Sequence, residues 1–271
     1  MSVLTMIVSA ALIISLVKHG LLRGIDHIAS ALNWSPKTRG QVTGYATSVP
    51  ELVCLVAAGL AGVWEAGLWN IASSNIINAS LMLIAALYYR QFGELFRRRF
   101  LDEIAFALMA VAVPIALMYF GMDRQWYLIP MLLGFFVVYK LVDNKLNQPS
   151  GTDEKPKNAG SIPIGLLLGI TALVAIAVAG TFLGESTAAV VRQLGIRPII
   201  AGWILGFITS IPEMVTFFAV YSTSRREGNL AGQSDTQEAL DNLTGSNMAN
   251  VGIVYPLGLL AFLIGSSLLS G

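Results

Sequence analysis

The chain has 271 residues, of which 55% are hydrophobic and only 12% charged, with a formal net charge of +1 and a mean hydropathy of +0.68. A soluble domain carries about twice that share of charge, so the composition excludes an ordinary soluble domain and points to the membrane class. The near-zero balance gives no reason to expect nucleic acid as a partner, and the single Cys54 leaves no intrachain disulfide and no thiolate set for a metal.

In chain order, the apolar runs long enough for a bilayer, about 20 residues, predict eight spans, at roughly 2–32, 37–63, 68–89, 102–121, 126–145, 161–192, 197–222 and 240–268. Met1 to Val17 has no basic residue before Lys18, which reads as an uncleaved transmembrane helix and not a signal peptide. The first and sixth spans are long enough that they must tilt or extend beyond the hydrocarbon. Between the spans, one side receives Lys37, Arg39, Arg90, Arg97 to Arg99, Lys140, Lys145, Lys155, Lys157, Arg225 and Arg226, and the other only Arg124, Arg192 and Arg197. Twelve against three places the first group in the cytoplasm and both termini outside, in a plasma or inner membrane. Trp64, Trp69 and Trp126 read as interfacial anchors. The polar stretches 147–160 and 224–238 read as cytoplasmic loops. The expected organisation is a first half of five helices (1–146), a linker (147–160) and a second half of three helices (161–271).

One stretch occurs twice. Gly44-Tyr45-Ala46-Thr47-Ser48-Val49-Pro50-Glu51 returns 162 positions later as Gly206-Phe207-Ile208-Thr209-Ser210-Ile211-Pro212-Glu213, with Gly40 falling on Gly202. After a ten-residue insertion in the second copy, Ser74-Asn75-Ile76-Ile77-Asn78 matches Ser246-Asn247-Met248-Ala249-Asn250. Five spans separate each helix from its counterpart. That odd number turns the second copy upside down, which predicts an all-α membrane protein with two inverted-topology repeats and a site where broken helices meet near the midplane.

Each copy places a proline and a carboxylate inside an apolar run, where proline breaks helical hydrogen bonding and the charge is costly. Thr47, Ser48, Thr209 and Ser210 add hydroxyls beside the carbonyls freed by the prolines. Ser74 with Asn78, and Ser246 with Asn250, lie four residues apart on one helical face. Together with Glu51 and Glu213 these ten residues make an oxygen-only inventory. Such a cage suits Ca²⁺ or Na⁺ better than Mg²⁺, which demands a tight octahedron, or a transition metal, which wants nitrogen or sulfur. Two facing glutamates carry −2, which one Ca²⁺, two Na⁺ or two protons would each neutralise, and that is the logic of an antiporter.

G-x-x-T-S-x-P-E in two copies, each followed by S-N-x-x-N, resembles the α-repeats of the cation/calcium exchanger superfamily, closest to the sodium/calcium exchanger branch. The resemblance implies an inverted-repeat fold, Ca²⁺ extrusion driven by Na⁺ entry, gating by sliding of the two long helices, and ion contacts from Thr47, Ser48, Glu51, Ser74, Asn78, Thr209, Ser210, Glu213, Ser246 and Asn250; exchange of Ca²⁺ against H⁺ is the alternative. Many sodium/calcium exchangers have Asp at the position of Asn250, which bears on a three-sodium stoichiometry. The chain ends after the eighth span, so the resemblance also implies an exchanger-type fold without the last two helices, its open flank covered by a second copy or another partner. No organic cofactor is expected. The absence of G-x-S-x-G and H-E-x-x-H patterns argues against an enzyme; a cation channel is the alternative of a different class. Asp26 is expected to pair with Arg23 at the interface, and Glu185 to pair with Arg192 or lie at the outer mouth.

Overall fold

The computed structural model describes residues 2–146, 160–226 and 234–269, and every regular element among them is helical. Except for Gly160, the predicted linker 147–160 lies outside the described residues, as do Lys155 and Lys157 of the charge count.

The first span is one apolar rod, α1 (Ser2–Leu16) and α2 (Leu22–Leu32), joined by a π-helical turn, Val17–Leu21, that carries Lys18 and His19. It ends on Asn33 in the left-handed region, and Ser35 then caps the next helix by accepting from the Thr38 amide at 3.2 Å, ahead of Pro36. The second span is broken in two, α3 (Pro36–Thr47) and α4 (Val49–Leu60). Next come α5 (Trp64–Tyr88), the four-residue α6 (Phe92–Leu95), α7 (Leu101–Tyr119) and α8 (Leu128–Leu146). The second half opens with the 33-residue α9 (Ile162–Leu194), stopped by Gly195 at φ 60°. It continues with a second broken span, α10 (Pro198–Thr209) and α11 (Ile211–Arg226), and closes with α12 (Ser234–Ala249) and α13 (Tyr255–Leu269) around a π turn, Asn250–Val254.

Seven of these described stretches are long and apolar enough to cross a membrane. The fifth predicted span, α8, is not among the seven; it is a 19-residue helix whose last turns carry Lys140, Asp143 and Lys145. Two expectations are corrected. The loop predicted at 224–238 is shorter, because α12 already begins at Ser234, with Asp235 in its first turn, where acid suits the helix dipole. Trp64 is no lipid-facing anchor: it is 2% exposed, its indole N–H donates to Asp123 Oδ2 at 3.0 Å, and its ring stacks on Phe262. Trp126 stays exposed, as an interfacial anchor should.

The repeats pack across one another. The first half-helix of each broken span lies against the long helix of the opposite repeat, α3 on α12 and α10 on α5, and glycines permit the approach. A Cβ on Gly44 would meet the Asn242 carbonyl oxygen and sit 2.8 Å from the Ser246 nitrogen; one on Gly206 would meet Ser73 Oγ and sit 2.9 Å from the Ser74 nitrogen. These are the Gly-x-x-x-Gly pairs 40/44 and 202/206, small residues spaced to bring two helices into backbone contact. The two long rods, α1–α2 and α9, form a separate layer around Val17, Leu21, Ile25, Ile176 and Leu183. Gly24 and Gly165 face each other's backbone there, and Val53 and Ala57 of α4 press on Gly180 and Gly184 of α9.

Candidate cation site

Both broken spans turn at the same residue in nearly the same way. Ser48 ends α3 at φ −81°, ψ −3°, and Ser210 ends α10 at φ −83°, ψ −1°. Pro50 and Pro212 follow two residues on; having no N–H, they leave the carbonyls of Ala46 and Ile208 without the bond a helix would supply. Glu51 and Glu213 then fall in the first turn of α4 and α11, where the positive end of the helix dipole favours a carboxylate.

The close crossings bring all ten predicted residues into one buried cluster, each 0–2% exposed. Ser74 Oγ donates to Glu51 Oε1 at 2.9 Å, and Ser246 Oγ donates to Glu213 Oε1 at 3.1 Å. Ser48 Oγ lies 3.1 Å from Ser246 Oγ, tying the first break to the second repeat. Asn250 Nδ2 reaches Ser74 Oγ at 3.4 Å, and Asn78 Nδ2 reaches Ser246 Oγ at 3.5 Å. Thr47 lies beside Glu213 and Thr209 beside Glu51, so each threonine serves the other repeat's acid, and the two acids are near enough to feel each other's charge. The hydroxyls of Thr47 and Ser48 both also donate to the Gly44 carbonyl, at 3.1 Å.

Five buried oxygens of this cluster have no partner: Glu51 Oε2, Glu213 Oε2, Asn78 Oδ1, Asn250 Oδ1 and Ser210 Oγ. Orphaned buried acceptors are costly and uncommon. Two carboxylate oxygens, two amide oxygens and a hydroxyl are what a hard cation binds, and the number approaches the 6–8 that Ca²⁺ takes. No nitrogen or sulfur ligand stands among them.

Two residues that the sequence reading passed over hold this arrangement. Asn75 Oδ1 accepts from Asn250 Nδ2 at 2.9 Å and Asn247 Oδ1 accepts from Asn78 Nδ2 at 3.3 Å, so each spends the donor end of the other repeat's amide and leaves its oxygen free. Asn75 is itself fixed by donating to the Ala110 carbonyl at 2.9 Å, and Asn247 by donating to the Asn75 carbonyl at 3.1 Å. Both stand in the S-N-x-x-N motif, but the four-residue spacing singles out only its first and last members.

A second acidic group was also missed. Glu103, Asp143 and Asp241 bring carboxylate oxygens within 4.8 Å of one another, buried between α3, α7, α8 and α12. Lys37 Nζ lies 2.9 Å from Asp143 Oδ1; Gln41 Nε2 bridges Asp143 Oδ2 at 2.7 Å and Asp241 Oδ1 at 3.1 Å; Gln237 Nε2 bridges Glu103 Oε1 at 2.8 Å and Asp241 Oδ2 at 2.7 Å. With both oxygens of Asp143 and of Asp241 engaged, this is a tie between helices and not an open ligand set. The expected Asp26–Arg23 pair is corrected: Asp26 Oδ1 accepts from Arg39 Nη2 at 2.7 Å, because the turn after α2 folds α3 back beside it, and Arg39 Nε also reaches Glu238 Oε1 at 3.5 Å. Glu185 is exposed on α9.

A sequence model of the family described as "Sodium/calcium exchanger protein" matches residues 2–142 and 164–269. The inner membrane protein YrbG of Escherichia coli is 28% identical over 233 residues, which cover 80% of this chain and 66% of that protein, just under two thirds of its length. Among solved structures, the sodium-calcium exchanger NCX_Mj soaked with 2.5 mM Na⁺ and 10 mM Sr²⁺ superposes with a TM-score of 0.56 at 22% identity, covering 99% of this chain and 90% of the other. The same exchanger soaked with 100 mM Na⁺ and 10 mM Sr²⁺ gives 0.57 at 21% identity, with the same coverage. At such identities the likeness is one of fold.

Proposed function

This chain belongs to the sodium/calcium exchanger protein family, and from that premise we propose that it is an antiporter that carries Ca²⁺ across the membrane against Na⁺ by alternating access, binding the ion between Glu51 and Glu213. It is a multi-pass membrane protein. The positive-inside count assigns the Arg97 to Arg99 face to the cytoplasm and extrusion to the opposite direction.

The observation that carries this reading is the set of five unpartnered buried oxygens, drawn from both repeats and contributed only by residues of the doubled motif. An empty cage of charge −2 is too costly to move between the two openings, whereas one Ca²⁺ or two monovalent cations neutralise it; the competing loads therefore cross in turn. Because the cage is made where oppositely oriented half-helices meet, a modest shift of one packed layer exposes it to one face while the mirror contact closes the other. The glycine-lined seam between α9 and its neighbours α2 and α4 supports the two long helices as the layer that slides.

The test is uptake of radioactive Ca²⁺ into proteoliposomes loaded with Na⁺. Wild type should accumulate Ca²⁺ down the Na⁺ gradient, and Glu51→Gln with Glu213→Gln should not; equal uptake by the two rejects the reading. Replacing the Na⁺ gradient with a pH gradient separates Na⁺ from H⁺ as the counter-ion. Flux that ignores both gradients would favour a channel.

A further inference from the structure

Two asparagines outside the cage share a feature with it. Asn242 precedes Ser246 by one helical turn on α12, and Asn70 precedes Ser74 by one turn on α5, so each lies on the same helical face as its serine, about 6 Å along the axis. They correspond under the same 172-position shift that places Ser74 on Ser246 (246 − 74) and Asn70 on Asn242 (242 − 70). Both side chains are 0% exposed. Neither Nδ2 nor Oδ1 of Asn242 has a partner, and Asn70 leaves its Nδ2 unpartnered while its Oδ1 accepts from the Thr209 hydroxyl at 3.3 Å.

The two amides sit on opposite flanks of the cage. Asn242 lies toward the N-terminus of α12, where Gln237 accepts from Arg99, so it is on the Arg97 to Arg99 side. Asn70 lies toward the N-terminus of α5, the end remote from Arg90. Unpartnered polar atoms in a buried amide are costly and uncommon, and their occurrence at two mirror-related places, both atoms of Asn242 and the Nδ2 of Asn70, calls for a common cause. A side chain with an acceptor lone pair and a free donor fits a cation that still holds water: Oδ1, which on Asn70 keeps a second lone pair beside the bond from Thr209, takes the ion, and Nδ2 donates to the oxygen of a coordinated water.

Resting on the cage reading above, we propose that Asn242 and Asn70 are accessory cation-binding positions, one on each access route, at which a partly dehydrated cation stops between its membrane face and the Glu51–Glu213 cage. The inner route continues the row outward: Glu238 is one further turn before Asn242, with Arg39 at 3.5 Å from its carboxylate and Asp26 beyond. The corresponding residue on the outer route is Ala66, so only the inner route has an acid one turn beyond its asparagine.

The test exploits this sidedness. Initial Ca²⁺ uptake is titrated on one face at a time, in right-side-out and inside-out membrane vesicles, for wild type, Asn242→Ala, Asn242→Asp, Asn70→Ala and Glu238→Gln. Asn242→Ala should raise the half-saturating Ca²⁺ about tenfold on the Arg97 to Arg99 face, the order expected for one lost ligand, and leave the other face unchanged. Asn70→Ala should do the mirror image, Asn242→Asp, which keeps an oxygen, should stay near wild type, and Glu238→Gln should act on the same face as Asn242→Ala. Equal changes on both faces would mean a damaged helix, opposite changes a shifted conformational equilibrium, and no change a silent side chain; each overturns the proposal. If Asn242→Ala does not insert, Asn242→Thr is titrated in its place against the same outcomes. Equilibrium Ca²⁺ binding by purified wild type, lost in Glu51→Gln with Glu213→Gln, checks the cage separately: if it fails the cage reading falls, and if it holds while Asn242 and Asn70 are silent only the accessory positions fall.

Discussion

Ser48 Oγ and Ser246 Oγ lie 3.1 Å apart, and the Ser246 carbonyl oxygen, also 3.1 Å from Ser48 Oγ, is an alternative to the Gly44 carbonyl for the single hydroxyl hydrogen of Ser48. One serine marks the helix break of the first repeat; the other hands its hydroxyl to Glu213 in the second. Through this contact the geometry at one carboxylate depends on the break that positions the other. Ser48→Ala and Ser246→Ala should therefore be non-additive: in a double-mutant cycle on half-saturating Ca²⁺, the coupling should be about 0.5–3 kcal/mol, the range for residues in one hydrogen-bonded network. Additive effects would separate the two halves of the cage.

Asn250 donates to Asn75 Oδ1 and to Ser74 Oγ, contacts that a carboxylate, having no N–H, could not make. On the function proposed above, the cage with this amide in place would carry −2, and exchange of one Ca²⁺ for two Na⁺ would move no net charge. Asn250→Asp should bring the cage to −3 and admit a third monovalent cation. Ca²⁺ uptake against a potential clamped with valinomycin and K⁺ should be flat for wild type and potential-dependent for the variant.

Gly44 and Gly206 face backbone of the opposite repeat. Gly44→Ala and Gly206→Ala should each overpack the crossing, at a cost of about 1–3 kcal/mol, with a lower unfolding temperature in detergent and slower exchange. Gly134→Ala is the control, since a Cβ there meets nothing within 4 Å. Equal melting of all three variants would contradict the crossing.

Lys37 and Asp143 form an ion pair at 2.9 Å with side chains 8% and 1% exposed. Lys37→Met strands a buried carboxylate, and the loss should be about 3 kcal/mol, the lower end for breaking a buried pair, because Gln41 and Lys140 remain beside Asp143. Lys37→Met with Asp143→Leu should recover much of that loss, as removal of both charges also removes their desolvation. Thermal unfolding in detergent measures both.

The sequence alone determined the helical class, the doubled motif and the inversion of the second copy, and it singled out ten residues that the fold gathers into one buried cluster. All of these follow from local rules: a run of apolar residues declares a span, a proline with an acid inside it declares a break, and residues four apart share a face. What the tertiary structure decided are the contacts made across the chain. Asn75 and Asn247 orient the other repeat's amides, Lys37 and Gln41 meet Asp143 and Asp241, and Arg39 takes Asp26 from the nearer Arg23. Each depends on which helix lies beside which and at what rotation, and the glycine crossings set that rotation through packing between segments more than a hundred residues apart. A polar side chain in lipid must find a partner, but only the assembled bundle determines which one it finds.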